Sequence, residues 1–201
     1  MARTRSQAGK YSVSKGKRAE RRFATSLAEW TGKAIRRVPN SGGWNKSGST
    51  VVGGKEFSSD VISDVPMIFT IEIKSGVGFS LDAVLNNPST SIFTKWWGQA
   101  CHDACASNKL PMLIFKPDRS FDWVAIDGRG VDRLIDDNDS IRSIKIDGYA
   151  NSYNFAVSSI GGRKKHNVTL DLPNPYIYRW KDFISVVDPN LLFGHLLIEP
   201  D

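Results

Sequence analysis

Residues 67–74 read Met-Ile-Phe-Thr-Ile-Glu-Ile-Lys, and this stretch decides the fold. Phe69, Ile71 and Ile73 alternate with Thr70, Glu72 and Lys74. A two-residue period is the signature of a β-strand, whose successive side chains point to opposite faces. One face is therefore core. The other carries a carboxylate and an amine about 7 Å apart. A strand this apolar is expected at the centre of its sheet.

Working outward on the N-terminal side, Asp60–Ser63 reads as a short strand and Asp64-Val65-Pro66 as the turn after it. An antiparallel hairpin would then bring the Asp60 carboxylate close to Glu72. Before this lies a polar, glycine-rich stretch, Pro39–Gly54, of a length that is uncommon in loops without a function. Ala34–Val38 is a candidate strand. Ser14 is placed to cap a helix running to about Trp30, with Gly32 ending it. Ala19, Phe23 and Leu27 form its buried stripe, which sets Glu20 at the edge of the core. Residues 1–13 read as a flexible basic arm.

On the C-terminal side, Leu81–Leu85 and Thr94–Asn108 are helix candidates. The second presents Trp97, Ala100, Cys101, Ala104 and Cys105 on one face, and Gln99, Trp96 and Asp103 on another. Cys101 and Cys105 read as small core residues, since a zinc site needs more ligands than these two. Pro111–Phe115 and Phe121–Ile126 suit a hairpin. Val131–Ile135 is a possible helix, Ile141–Ile146, Tyr153–Ile160 and Val168–Leu172 are possible strands, and Arg179–Val186 suits a closing amphipathic helix. Gly161-Gly162-Arg163-Lys164-Lys165 makes a basic turn. Helix, strands, helix, strands is an α/β order, with a mixed central sheet flanked by helices. One domain over residues 14–201 is expected, with a catalytic core at 14–116 and an elaborated C-terminal half at 117–201.

The charge balance is +6, from 27 Lys and Arg against 21 Asp and Glu, and its sign favours a polyanionic partner. Residues 1–37 concentrate it, with only Glu20 and Glu29 opposing eleven basic side chains. Apolar residues make up 40% of the chain, enough for a core, but no run approaches the ~18 needed to span a membrane. No membrane partner is expected, and the expected location is the cytoplasm.

Glu72 and Lys74 on one strand face, with Asp60 beside them, form a set suited to phosphodiester hydrolysis. Two close carboxylates repel and call for a divalent cation. All-oxygen ligands select Mg²⁺, with Mn²⁺ able to substitute. Such a cation polarises a scissile phosphate and lowers the pKa of a bound water. Lys74 can orient that water or stabilise charge on the phosphate. Asp64 is a rival for the Asp60 role, but it sits in the turn before Pro66, whereas Val61 and Ile62 continue Asp60 into a strand. His102, His166 and His195 are too scattered for histidine-driven cleavage. Trp44, in the glycine-rich loop, either stacks on an unpaired base or anchors the loop.

Four segments in order carry a family resemblance: Lys15-Gly16-Lys17-Arg18-Ala19-Glu20-Arg21 through Leu27, Arg37-Val38-Pro39-Asn40-Ser41-Gly42, Ser59-Asp60-Val61-Ile62, and Ile71-Glu72-Ile73-Lys74-Ser75. Together they resemble the archaeal-type Holliday junction resolvases of the PD-(D/E)xK nuclease superfamily, over about residues 14–116. The resemblance implies a restriction-endonuclease-like fold and a Mg²⁺-dependent endonuclease that works as a homodimer on four-way DNA junctions. It implies Asp60 and Glu72 as metal ligands with the Ile73 carbonyl, Glu20 as a supporting carboxylate of the metal site, and Lys74 as the catalytic lysine. It also implies Arg37 and Ser41 near the scissile phosphate, with Ser41 counted in the catalytic set. Arg18, Arg21, Lys46 and Gln99 complete the expected DNA contacts. A nuclease of this kind serves a cell, at its nucleoid, or a virus. The loop between Ser41 and Asp60 is longer than the pattern, and residues beyond about 117 have no counterpart in it, which leaves the substrate's shape open. Two rivals share the fold: a restriction-type or repair endonuclease, and a DNA-binding protein that no longer cuts.

Overall fold

A computed structural model describes residues 5–38, 50–52, 55–57, 59–76, 79–86, 91–135, 141, 143–145, 152–158 and 165–194. Helix α1 spans Arg5–Thr31. It therefore begins well before Ser14, and residues 5–13 are helical rather than an extended arm. No proline interrupts them, so Ser14 sits within the helix instead of capping it. Phe23 and Leu27 of the stripe are buried, Ala19 is partly buried, Ala24 joins them in the core, and Gly32 ends the helix with φ 65°.

Strand β1 (Ile35–Arg37) follows. At the end of the glycine-rich stretch β2 (Thr50–Val52) pairs antiparallel with β3 (Lys55–Phe57) just beyond it, so the last part of the expected loop belongs to a hairpin. Then come β4 (Val61–Ser63) and β5 (Phe69–Gly76). Helices α2 (Leu81–Asn86) and α3 (Ile92–Ala106) lead to the hairpin β6 (Leu110–Pro117) and β7 (Trp123–Ile126). Ser91 caps α3, accepting from the Thr94 N–H at 3.2 Å. Helix α4 (Gly128–Leu134), strands β8 (Ser143–Lys145), β9 (Ser152–Ser158), β10 (Lys165–Asp171) and β11 (Tyr176–Arg179), and helix α5 (Trp180–Val186) complete the order.

The mixed sheet runs β5-β6-β7-β11-β8, with β5 parallel to β6 and the remaining pairs antiparallel. Helices lie on both faces, so the α/β reading holds. One position differs from expectation: β5 is an edge strand of this sheet, not a central one. Its apolar character comes from cover on both faces. On one side Phe69, Ile71 and Ile73 join Phe23 and Leu27 of α1, Met112 and Ile114 of β6, and Trp180 and Phe183 of α5. On the other, Phe93, Trp97 and Ala100 of α3 pack on Leu113 and Phe115 of β6 and Ile177 of β11. The C-terminal half thus supplies three strands of the same sheet and aromatic side chains of the same core. Cys101 is buried as expected; Cys105 is exposed, because α3 turns it past the edge of the apolar face.

Candidate active site

Strand register sets the local environment. Glu72 pairs with Leu113 and Lys74 with Phe115, so both polar side chains stand on the α3 side among apolar neighbours. Glu72 is only 3% exposed. The Lys74 ammonium donates to Glu72 Oε1. Burial, and then the negative charge of Asp60, push the Glu72 carboxyl up to about 8; the Lys74 ammonium offsets part of this, and Asp103 adds to it. For Lys74 burial is the largest single influence and acts to lower the pKa, but the charge and hydrogen bond of Glu72 together with Asp60 and Asp103 outweigh it, and the ammonium is held above its ordinary value.

Asp60 reaches this group by a route other than the expected hairpin. Strand β4 pairs with β1, not with β5. The open edge of β5 is instead met by Ser59 and Asp60. Asp60 Oδ2 accepts the Ile73 N–H at 2.8 Å, and the Asp60 N–H donates to the Ile71 carbonyl at 3.0 Å. Ser59 Oγ donates to the Ile71 carbonyl at 2.8 Å and accepts the Ile71 N–H at 3.0 Å. The Asp60 carbonyl in turn accepts the Val38 N–H at 2.9 Å, tying the site to the end of β1. Two side chains and one main-chain N–H thus do what a paired strand would do, and they fix a carboxylate, 8% exposed, against the backbone between Glu72 and Lys74. The rival Asp64 is exposed in its turn, beside Ser63 Oγ at 3.3 Å.

A third acid, Asp103, comes from α3. Among the described residues, the charges bearing on Glu72 are those of Asp60, Lys74 and Asp103. Glu20 is not among the charges that bear on Glu72. It lies on α1, where the Arg37 guanidinium donates Nε–H to its Oε2. Arg37 is correspondingly held by α1 at the end of β1. Arg18 and Arg21 are exposed on α1, and Gln99 is half-buried on α3. Other bases of α1 are engaged: Arg22 makes a bidentate pair with Asp122, 2.9 Å for each bond, and Lys15 pairs with Asp118. Ser41, Trp44 and Lys46, named from the sequence, lie outside the described residues, as does His195.

The donor set fits a hard divalent cation. Three carboxyl groups and one ammonium share a buried region, and one oxygen of the third acid, Asp103 Oδ2, is buried with no hydrogen-bond partner. Excess negative charge in a low-dielectric setting is what such a cation relieves. Among the described residues no group of three or more His, Cys, Asp or Glu side chains is arranged to hold a metal by itself.

Comparison with known proteins decides the family. The model of the family described as "Phage putative PDDEXK endonuclease" matches residues 11–161. The chain belongs to this family. The match runs past residue 117, so the family pattern includes β6, β7 and much of the half that the sequence left without a counterpart. As a PDDEXK endonuclease the protein is a nuclease of the PD-(D/E)xK superfamily. Protein D14 of Escherichia phage T5 is 31% identical over 113 residues, which cover 56% of this chain and 69% of that protein. No solved structure matches. No helix among the described residues is long and apolar enough to cross a membrane.

Asp103 and Ser59 are the members of this site that sequence reasoning passed over. Asp103 was placeable only on the Gln99 face of its helix. What that face covers depends on the long-range register of α3 on β5. Ser59 carries no charge, and its role is a backbone substitution that no spacing pattern encodes.

Proposed function

We propose that this PDDEXK nuclease is a Mg²⁺-dependent DNA endonuclease, with Mn²⁺ able to substitute, whose site is Asp60, Glu72 and Lys74. The observation that carries the reading is the Asp60 carboxylate bonded to the Ile73 N–H, which sets it at the β5 edge beside the buried Glu72–Lys74 pair. Asp60 and Glu72 would hold the cation, with the Ile73 carbonyl as a further ligand. The bound cation supplies Lewis acidity toward a scissile phosphate and a more acidic water.

The rest is done by the chain. Asp60 is prevented from swinging away by its backbone bond. Glu72 is fixed by the strand and by burial. Lys74 presents an ammonium that stays charged and can orient the attacking water or balance charge gathering on the phosphate. Glu20 holds Arg37 so that its guanidinium is ordered for a phosphate oxygen, a supporting role exercised through Arg37. Arg18 and Arg21 on α1, with Lys46, Ser41 and Gln99, form the proposed DNA-contacting set. The preferred substrate is branched DNA, four-way junctions above all, cut by a homodimer in the cytoplasm or at the nucleoid of a host cell, with a phage as the source of the gene. Residues 14–201 act as one nuclease domain.

The test is a cleavage panel of four-way junction, flap, linear duplex and single strand, with Mg²⁺ and with chelator, alongside sedimentation of the free protein. Cation-dependent cutting with junction preferred, by a dimer, is expected. Strong cutting of plain duplex at one sequence points to a restriction-type or repair enzyme. Tight binding with no cutting of any substrate points to a protein that has lost the reaction.

A further inference from the structure

The connection from β5 to β6 puts an acid where the fold alone gives no reason for one. The chain leaves β5 at Gly76 and returns through α3 to Leu110, which lies beside Phe69 at the start of β5. Helix α3 therefore runs back along the strand. The register is marked at one end by Thr70 Oγ1 and Ser107 Oγ, 2.8 Å apart. One helical turn before Ser107 stands Asp103, and two residues after Thr70 stands Glu72. Four helical residues rise about 6 Å and two strand residues about 6.6 Å, so Asp103 falls opposite Glu72. By the same step Gln99 falls opposite Lys74.

Asp103 is poorly explained as a structural residue. It is 7% exposed, and while Oδ1 lies 2.9 Å from His102 Nδ1, Oδ2 is buried without a hydrogen-bond partner. It stands in the last turn of α3, near the negative end of the helix dipole, where a carboxylate is disfavoured. Its charge bears on the Glu72 carboxyl and on the Lys74 ammonium. A divalent cation in the same region would engage the oxygen that His102 leaves unpartnered.

We infer that Asp103 is a positioning residue of the nuclease site: held by His102, its carboxylate supplies a third negative charge that strengthens divalent-cation binding at Asp60 and Glu72 and keeps the Lys74 ammonium in place beside the cation. Lys74 otherwise competes with the cation for Glu72, whose Oε1 it occupies. A second anion near the ammonium lets Glu72 turn to the cation without leaving Lys74 uncompensated. The inference rests on the proposed cation site and adds a residue from a different element to it.

Calorimetric titration with Mn²⁺ alone, without DNA, tests this on wild type, Asp60→Asn, Asp103→Asn and Asp103→Glu, each also melted in chelator. Asp103→Asn is expected to bind Mn²⁺ about tenfold more weakly. It should melt higher than wild type in chelator, because one of the carboxylates crowded around Glu72 loses its charge. Asp103→Glu should recover most of the affinity. Asp60→Asn should lose binding. If Asp103→Asn melts lower and binds Mn²⁺ like wild type, Asp103 is a packing residue and the inference is overturned while the cation site stands. If wild type binds no Mn²⁺, or Asp60→Asn binds it equally well, the proposed cation site fails and this inference with it.

Discussion

Two buried carboxylates of one sheet are treated in opposite ways. Asp127, at the end of β7, is 1% exposed and fully served. Its Oδ1 caps α4 by accepting the Gly130 N–H at 2.9 Å, and its Oδ2 accepts from Arg129 Nε at 2.9 Å and Nη2 at 2.8 Å. Glu72, on β5, is as deeply placed but has one ammonium on one oxygen and two other carboxylates for company. The fold thus accommodates a buried acid fully where the acid serves structure. At Glu72 the excess charge is left uncompensated by protein groups, and unsatisfied buried charge is retained where something else completes it.

This contrast can be broken by substitution, starting with the reaction itself. Asp60→Asn or Glu72→Gln should lower kcat for DNA cleavage by at least about 10²–10³-fold, whereas Asp127→Ala should leave kcat of the folded fraction within about twofold of wild type. Steady-state assays on one substrate measure both.

Stability should move in the reverse sense. In chelator Glu72 is raised from 4.5 to about 8. The folded state then binds a proton that the unfolded state has already released. Its contribution is fully present below pH 4.5 and is lost as pH rises to about 8. Glu72→Gln lacks this loss. By pH 8 it should be more stable than wild type by on the order of 2–4 kcal/mol in urea denaturation, with the two converging near pH 4.5. A gap that is absent, or that widens toward acid, contradicts the account. Asp127→Ala should lose about 2 kcal/mol in the same assay, through its cap and its buried bonds. The smallest effect concerns the α1 side. Glu20→Gln should weaken DNA binding by about threefold, with Mn²⁺ affinity unchanged, if Glu20 works through Arg37. A large fall in Mn²⁺ affinity would instead return Glu20 to the metal site.

Local periodicity carried most of the fold. The alternation of Phe69, Ile71 and Ile73, the Phe23–Leu27 stripe and the β6–β7 hairpin are each set by neighbours within a few residues, and the structure has them where the pattern puts them. Strand β11 was not legible. Its four residues follow Pro173 and Pro175 and are too few to show a period. The edge position of β5 was hidden because burial on both faces looks the same in sequence whether a strand is flanked by one neighbour or two. Glu72 and Lys74 were legible as a pair because they share one strand. Asp60 was legible as a candidate, but not its attachment, since side-chain bonds from Ser59 and Asp60 replace the hairpin that spacing implies. Helix α1 beginning at Arg5 shows the limit of reading a serine as a cap when no breaker precedes it.

The most direct measurement compares nicking of a four-way junction by wild type and Asp60→Asn across a Mg²⁺ titration, with the fold of each checked by melting. Wild type should cut only as Mg²⁺ is added, and the folded variant should not cut at any concentration. Cleavage by wild type in chelator, or by the variant at the wild-type rate, would contradict a cation held by Asp60 and Glu72.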